Sequence, residues 1–435
     1  DHAGPELRRA LFESLAHPAF AGAAAGSLAQ AGAGLVPEVE ARLVPGGRRG
    51  VLLQLVHVLA GIGGPEATAA LRARLDFPDA AVRGAVLAAL ERLRWSAAAA
   101  ERDGLLRRLN EEAAAAAWCL AAARDLSEQE PLVRVRLALL SELEQVRERC
   151  YALLTCLFDR DAIQRARDNV RSDSRERRAY AMEMLDITLP GELKGILLPL
   201  LDARPETTAH PLEARFPQPA MDVPARLRDT LERDERWLRA WTRATAIQAV
   251  GALRLAELRA TLAALDAADP LIRGTADWAT ARLDAGADAE DEPMLLIEKV
   301  MLLKGVQMFE ATSEEVLAEV AATLEEVEYK RGETVFRKGE AGDSMYVVVE
   351  GRVRVFDGER TLNQLGEREI FGELALLDPE PRSASVQAVV DTRLFRLDAE
   401  TFSELMAGNI EIVRGVLHVL CERLRRVSSF TVSPK

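Results

Sequence analysis

The sequence predicts a multidomain chain: an all-α region of helical repeats, followed by an α+β domain built on a β jelly roll with flanking helices. Three observations carry that expectation. Apolar residues recur at helical spacing through residues 1–283, with almost no β-branched alternation. An acidic break containing Gly and Pro follows at 284–294. From 295 to 430, short alternating segments are punctuated by glycine. At 435 residues the chain is too long for one ordinary core, so more than one domain is expected.

In the first region Val86, Leu87, Leu90 and Leu93 show the helical spacing. A weak unit recurs there, a turn carrying Asp and often Pro, then a helix that opens with Arg about four residues later. The best copy runs from Leu75 through Asp76, Pro78, Asp79 and Val82 to Arg83, continuing into Leu87 and Leu90. Others run from Asp173 to Leu185, from Asp234 to Val250, and from Asp269-Pro270 through Arg273 to Leu283. Aspartate before a helix caps its free amides and favours the positive end of the dipole, while Ala and Gly let helices stack closely. The pattern resembles HEAT repeats, particularly the Asp-x-x-Val-Arg turn at Asp79 to Arg83. The resemblance implies a solenoid presenting a surface to protein partners; a generic helical bundle is the alternative. A Pro-rich stretch, Ala203 to Pro224, interrupts the helices as an ordered excursion or loop. Asp284 to Pro293 reads as an interdomain linker, because its five acids repel one another and it has no apolar stripe.

The formal net charge is −13, which argues against a general nucleic-acid binder and against an anionic membrane surface. Any nucleotide site must be a local exception made by one or two placed cations. Cys119, Cys150, Cys156 and Cys421 form no CxxC pair and have no histidines at metal-ligand spacing, so buried free thiols in a reducing compartment are expected. No apolar run approaches the ~18 residues that cross a bilayer, and the N-terminus lacks the regions of a signal peptide. These features predict a soluble, cytoplasmic protein without direct membrane insertion. A first residue of Asp is the mark expected of a piece of something longer.

After the linker, Ile297 to Lys304 reads as a helix and Ser313 heads another. Strands are expected at Thr334–Phe336, Met345–Val349 and Arg352–Phe356, and one last helix at about Ala399 to Val427. The chemistry lies in Phe371 to Ala388, FGELALLDPEPRSASVQA. Gly372 allows a close approach, and Glu373 to Leu377 can make one helical turn whose amides face an anion. Arg382 follows two prolines and precedes the hydroxyls of Ser383 and Ser385. One fixed guanidinium, an amide nest and a hydroxyl suit a singly charged phosphodiester, and a carboxylate beside them can accept from a ribose hydroxyl.

This segment resembles the phosphate-binding cassette of the cyclic-nucleotide-binding family at Phe371, Gly372, Glu373, Ala375, Leu376, Pro381, Arg382, Ala384 and Val386. The resemblance implies that Arg382 pairs with the cyclic phosphate and Glu373 with the ribose 2′-hydroxyl. It assigns the backbone amides of Leu374 and Ala384 and the hydroxyl of Ser383 to the same cradle. Val353 and Leu365 resemble apolar positions that pack on the base, with plain barrel core as their alternative. Ser383 leaves cAMP and cGMP both open, since a hydroxyl after the arginine occurs in members preferring either. Arg414, Arg423, Arg425 and Arg426 on the last helix are candidates to read the purine or, equally, solvated charges.

No glycine-rich kinase loop and no grouping of acid, base and nucleophile stands out before residue 290, so no enzyme and no cofactor is expected. The expected function is a cyclic-nucleotide sensor (cAMP or cGMP) coupled to a HEAT-like protein-interaction surface. The order of domains also resembles the soluble tail of bacterial ATP/ADP translocase-like carriers. That alternative implies a regulatory cytoplasmic part attached to a membrane domain.

Overall fold

A computed structural model of the chain describes residues 4–202, 211–234, 236–265, 269–285, 294–374, 380–409 and 412–421. The chain divides into two compact units. One is Asp1–Arg8 with Ala25–Glu290, and the other is Arg9–Ala24 with Asp291–Lys435. The short segment Arg9–Ala24 therefore groups with the C-terminal unit, although the sequence reads it as part of the helical region.

The helical segments are α1 (Pro5–Ser14), α2 (Pro18–Gln30), α3 (Val36–Arg42), α4 (Arg49–Ile62), α5 (Gly64–Arg72) and α6 (Ala80–Arg92). Next come α7 (Arg102–Asp125), α8 (Leu132–Leu157), α9 (Arg160–Val170), α10 (Arg175–Thr188) and α11 (Gly191–Leu201). They are followed by α12 (Val223–Glu232), α13 (Ala240–Ala252), α14 (Arg259–Ala263) and α15 (Pro270–Ala285). The long helix α8 is the axis of the first unit, with α6, α7, α9 and α13 all packed on it. Alanine-rich faces make this possible, because Ala113, Ala116, Ala117, Ala121 and Ala122 are fully buried and let backbones approach.

The capping logic of the sequence holds in two copies of the unit. The Asp79 carboxylate accepts from the amides of Ala81 and Val82, both at 2.9 Å, and Asp269 accepts from Leu271 at 2.9 Å. Arg49 joins these caps, reaching Asp79 at 2.8 Å and Asp269 at 3.2 Å. The other two copies differ. Ser174, not Asp173, caps α10. Asp234 holds only a turn, accepting from Arg236 at 2.8 Å, and α13 starts later at Ala240. The Pro-rich excursion is anchored where it is described: Asp125 accepts from the Met221 amide at 3.1 Å and from the buried Arg226. Residues 203–210 lie outside the described residues, as do 286–293 of the expected linker, whose first two residues end α15.

Among its described residues the second unit holds eight strands: β1 (Glu325–Tyr329), β2 (Thr334–Phe336), β3 (Ser344–Glu350), β4 (Val353–Asp357), β5 (Arg360–Leu365), β6 (Ile370–Phe371), β7 (Ser385–Ala388) and β8 (Thr392–Asp398). They form two antiparallel four-stranded sheets, β1-β8-β3-β6 and β2-β7-β4-β5, which is the jelly-roll arrangement expected. Tyr346, Val348, Val353, Leu365, Phe371, Val386 and Leu394 fill the space inside. Gly351 is required at the β3–β4 turn, since its φ is 96° and a Cβ would sit 2.6 Å from the Asp391 carbonyl oxygen.

Helices α16 (Leu296–Lys304) and α17 (Glu314–Thr323) precede the strands, and α18 (Ala399–Gly408) follows them, capped by Asp398. Among the described residues the expected single last helix is broken at Asn409, and its expected end, 422–427, lies outside them. Asn409 leaves helical geometry at φ −132° and ψ 98°, and helix resumes over 412–421 (α19). Gly408-Asn409 is a helix-stop pair, and burial of Ile412, Val416 and Val419 gives the second piece its own packing direction. Among the described residues no helix is long and apolar enough to cross a membrane.

Candidate functional site

The site starts from the turn between β6 and the cassette. Gly372 has φ 77°, and a Cβ there would come within 2.7 Å of an Arg382 guanidinium nitrogen and 3.1 Å of the Ser344 carbonyl oxygen. The missing side chain is therefore what lets the arginine lie against β3 and β6. Two backbone bonds clamp Arg382 to the turn after β2: its amide donates to the Glu340 carbonyl at 2.8 Å, and its carbonyl accepts from Gly339 at 2.9 Å.

The Arg382 side chain is directed inward and only 7% of the residue is exposed. Its Nη1 donates to the Gly372 carbonyl at 3.2 Å and its Nη2 to the Ser344 hydroxyl at 3.3 Å. The guanidinium carbon stands 4.1 Å from the centroid of Phe336, a contact worth about 0.5–2 kcal/mol. Phe336, Tyr346 and Phe371 form one aromatic floor, with Tyr346 and Phe371 stacked at 5.2 Å. The Nε of Arg382 is buried and has no hydrogen-bond partner among the described residues. Burial lowers the Arg382 pKa, and the charges of Asp343, Glu340 and Glu373 oppose that shift. A guanidinium stays charged under such a shift, so the site holds a buried cation with one donor unsatisfied and backbone carbonyl, hydroxyl and ring as its contacts. That donor set matches an anion with several oxygens, not a metal ion. No cluster of His, Cys, Asp and Glu suited to a metal occurs among the described residues.

Several of the expected site residues do come together. Phe371, Gly372, Glu373 and Arg382 share one neighbourhood, and Glu373 is buried at 4% exposure within the field of Arg382. Ala384 is buried beside the arginine in sequence, whereas Ser383 is exposed. The Leu374 side chain is 52% exposed, which leaves its backbone amide as the group assigned to the cradle. Val353 and Leu365 face each other across β4 and β5 inside the core cluster that also holds Phe371. Ala375 and Leu376 lie outside the described residues, as do Arg423, Arg425 and Arg426; Arg414 is exposed. Ser344, Tyr346 and Phe336 were not anticipated. The available signal was Ser344 opening an otherwise apolar strand, two residues from Tyr346 and so on the same face.

Residues 326–409 match the family model described as "Cyclic nucleotide-binding domain". Over 133 residues the chain is 32% identical to a CRP-like cAMP-activated global transcriptional regulator of Mycobacterium tuberculosis, covering 29% of this chain and 59% of that protein. It is 34% identical over 128 residues to the cyclic AMP receptor protein of Thermus thermophilus, covering 28% of this chain and 59% of the relative. A cAMP-dependent protein kinase regulatory subunit of Aspergillus fumigatus is 33% identical over 120 residues, covering 27% of this chain and 28% of the relative. The chain thus spans less than two thirds of the length of each of these relatives. The C-terminal unit contains a cyclic nucleotide-binding domain.

Proposed function

We propose that the C-terminal unit binds cAMP or cGMP as a non-enzymatic sensor, and that the helical unit presents a HEAT-like surface to a protein partner. One observation carries the reading: Arg382 is buried, charged and keeps its Nε without a hydrogen-bond partner among the described residues, in the cassette where the family resemblance assigns the cyclic phosphate. The family model over 326–409, which spans the cassette, and the similarity to relatives named for cAMP favour a cyclic nucleotide over other phosphodiesters. Glu373 is the group for the ribose hydroxyl, and the amides of Leu374 and Ala384 complete the phosphate cradle.

The HEAT-like reading is supported by recurrence within the first unit. Arg49 ties together two capping aspartates 190 positions apart, Asp79 and Asp269. α6 and α13 also end identically. Leu93, Arg94 and Trp95 donate to Ala89, Glu91 and Leu90, while Leu253, Arg254 and Leu255 donate to Ala249, Gly251 and Val250. Both arginines have left-handed φ, 56° and 53°. The carrier-tail alternative rests on domain order alone.

The test is a thermal and calorimetric titration of the full chain with each cyclic nucleotide. A ligand binding only the native state at a hundred times its dissociation constant adds about 2.7 kcal/mol to stability. A raised transition of the C-terminal unit is expected. No heat and no shift with either nucleotide at millimolar concentration would refute the reading.

A further inference from the structure

The end of α6 and the start of α9 enclose a pocket of about 350 Å³, lined by Ala88, Glu91, Arg92, Arg94, Arg160 and Gln164. Three guanidiniums and one carboxylate line it, an excess of two positive charges in a chain of net charge −13. The carboxylate is already used: both Glu91 oxygens lie 3.2 Å from Arg167, and Gln164 donates to one of them at 3.4 Å. Arg160 is held in place, with Nη1 on the Glu91 carbonyl and Nη2 on the Trp95 carbonyl at 3.0 Å.

Arg92 and Arg94 differ from their neighbours. Both are exposed, and neither guanidinium has a hydrogen-bond or ion-pair partner among the described residues. They are not needed as caps for α6, because the amides of Leu93, Arg94 and Trp95, together with Arg160, already serve its last carbonyls. Arg94 also occupies the left-handed position where glycine commonly ends a helix, so a cation stands at the rim where a side chain is often absent. Two unpaired guanidiniums and one anchored guanidinium around a small pocket match the charge and fork geometry of a phosphate dianion.

We propose that this pocket is a second anion site, taking a small phosphate-bearing ligand such as a phosphomonoester or pyrophosphate. It is built wholly from the helical unit and does not depend on cyclic-nucleotide binding at Arg382.

Calorimetry of the full chain with inorganic pyrophosphate, in chloride buffer of low ionic strength, tests it. Saturable binding is expected that survives Arg382→Ala and weakens by about tenfold or more in Arg92→Gln/Arg94→Gln, the loss typical of charge-assisted hydrogen bonds. Arg48→Gln/Arg107→Gln removes the same charge elsewhere on the helical unit and should leave binding unchanged. An unshifted thermal midpoint shows that both double variants fold. A phosphoserine peptide in parallel separates two sources of the same chemistry: tighter pyrophosphate binding assigns a free metabolite, and tighter peptide binding assigns a modified protein. No saturable heat from either probe, an unchanged affinity in Arg92→Gln/Arg94→Gln, or an equal loss in Arg48→Gln/Arg107→Gln would overturn the proposal.

Discussion

Arg382 of the C-terminal unit and three buried arginines of the helical unit, Arg149, Arg226 and Arg239, are satisfied differently. In the helical unit Arg149 meets Glu112 through two parallel bonds of 2.9 and 2.7 Å, with both residues about 5% exposed or less. Arg226 is divided between Asp125 and Asp229, and Arg239 lies 3.1 Å from Glu142. In the C-terminal unit Arg382 is just as deeply placed, yet its hydrogen-bond acceptors among the described residues are a carbonyl and a hydroxyl. A buried arginine matched to a carboxylate completes its own charge and belongs to the framework. One held by neutral groups keeps its charge available, at a cost in stability that an anion bound there would offset.

The largest effect should come from breaking a framework pair. Glu112→Ala takes the carboxylate from Arg149 and from Arg83, 3.7 Å away on the same carboxylate, and should destabilise the helical unit by about 3–5 kcal/mol, read from urea unfolding. Replacing both with apolar residues should recover most of that loss; a double variant as unstable as the single would show that the pair contributes more than mutual neutralisation.

Arg382→Ala is the mirror case. It should leave the stability of the free C-terminal unit unchanged or higher, yet weaken cyclic-nucleotide binding by about 3–5 kcal/mol. A variant that loses stability as Glu112→Ala does would place Arg382 among the framework arginines.

Gly372→Ala sharpens the contrast without altering charge. The added methyl meets a guanidinium nitrogen at 2.7 Å, and a left-handed φ costs a non-glycine residue about 1–2 kcal/mol, so affinity should fall by roughly tenfold. Wild-type affinity in a titration of this variant would mean that the arginine is not held by its contact with the turn.

Gly415→Ala tests the response to ligand. A Cβ at Gly415 would lie 1.8 Å from the Met308 carbonyl oxygen, so α19 must move off the turn between α16 and α17. Hydrogen exchange should show loss of protection over 412–421 in the unliganded variant. Unchanged protection would mean that this packing is not a state the last helix can leave.

The smallest expected effect is a pH dependence. Burial raises the pKa of Glu319, opposed by a hydrogen bond to Asn409 at the α18–α19 break. The folded state therefore holds this proton more tightly than the unfolded state. Its stabilising contribution is complete below the unfolded carboxyl value, near 4.3, and is lost as pH rises through the folded value. Glu319→Gln should flatten that part of the stability profile. A profile as steep as the wild type's would assign the slope to another group.

The cassette was legible because its chemistry is local. Phe371, Gly372, Glu373 and Arg382 occupy 12 consecutive positions, and the left-handed glycine and the restricted arginine are properties of that short stretch. The jelly roll was legible for a similar reason, since alternation and glycine spacing are written strand by strand. What surrounds Arg382 was not legible. Phe336 comes from β2 and Ser344 with Tyr346 from β3, and only antiparallel pairing across the two sheets brings them beneath a loop 38 residues further along.

The helical unit shows the same division. Composition and periodicity by themselves determined that the described part of residues 1–283 is mostly helical, because amphipathic spacing and capping aspartates act within a few residues. Only the tertiary structure decided which charges neutralise each other. Arg49 finds Asp269 across 220 positions, and Glu142 accepts from the Arg239 amide at 3.0 Å across 97. It also decided that the Arg92 and Arg94 guanidiniums have no partner among the described residues, which no local pattern distinguishes from any solvated helix charge. The physical reason is that burial and charge pairing are set by which faces meet, and a helix carries in its own sequence the face it offers but not the partner that will cover it.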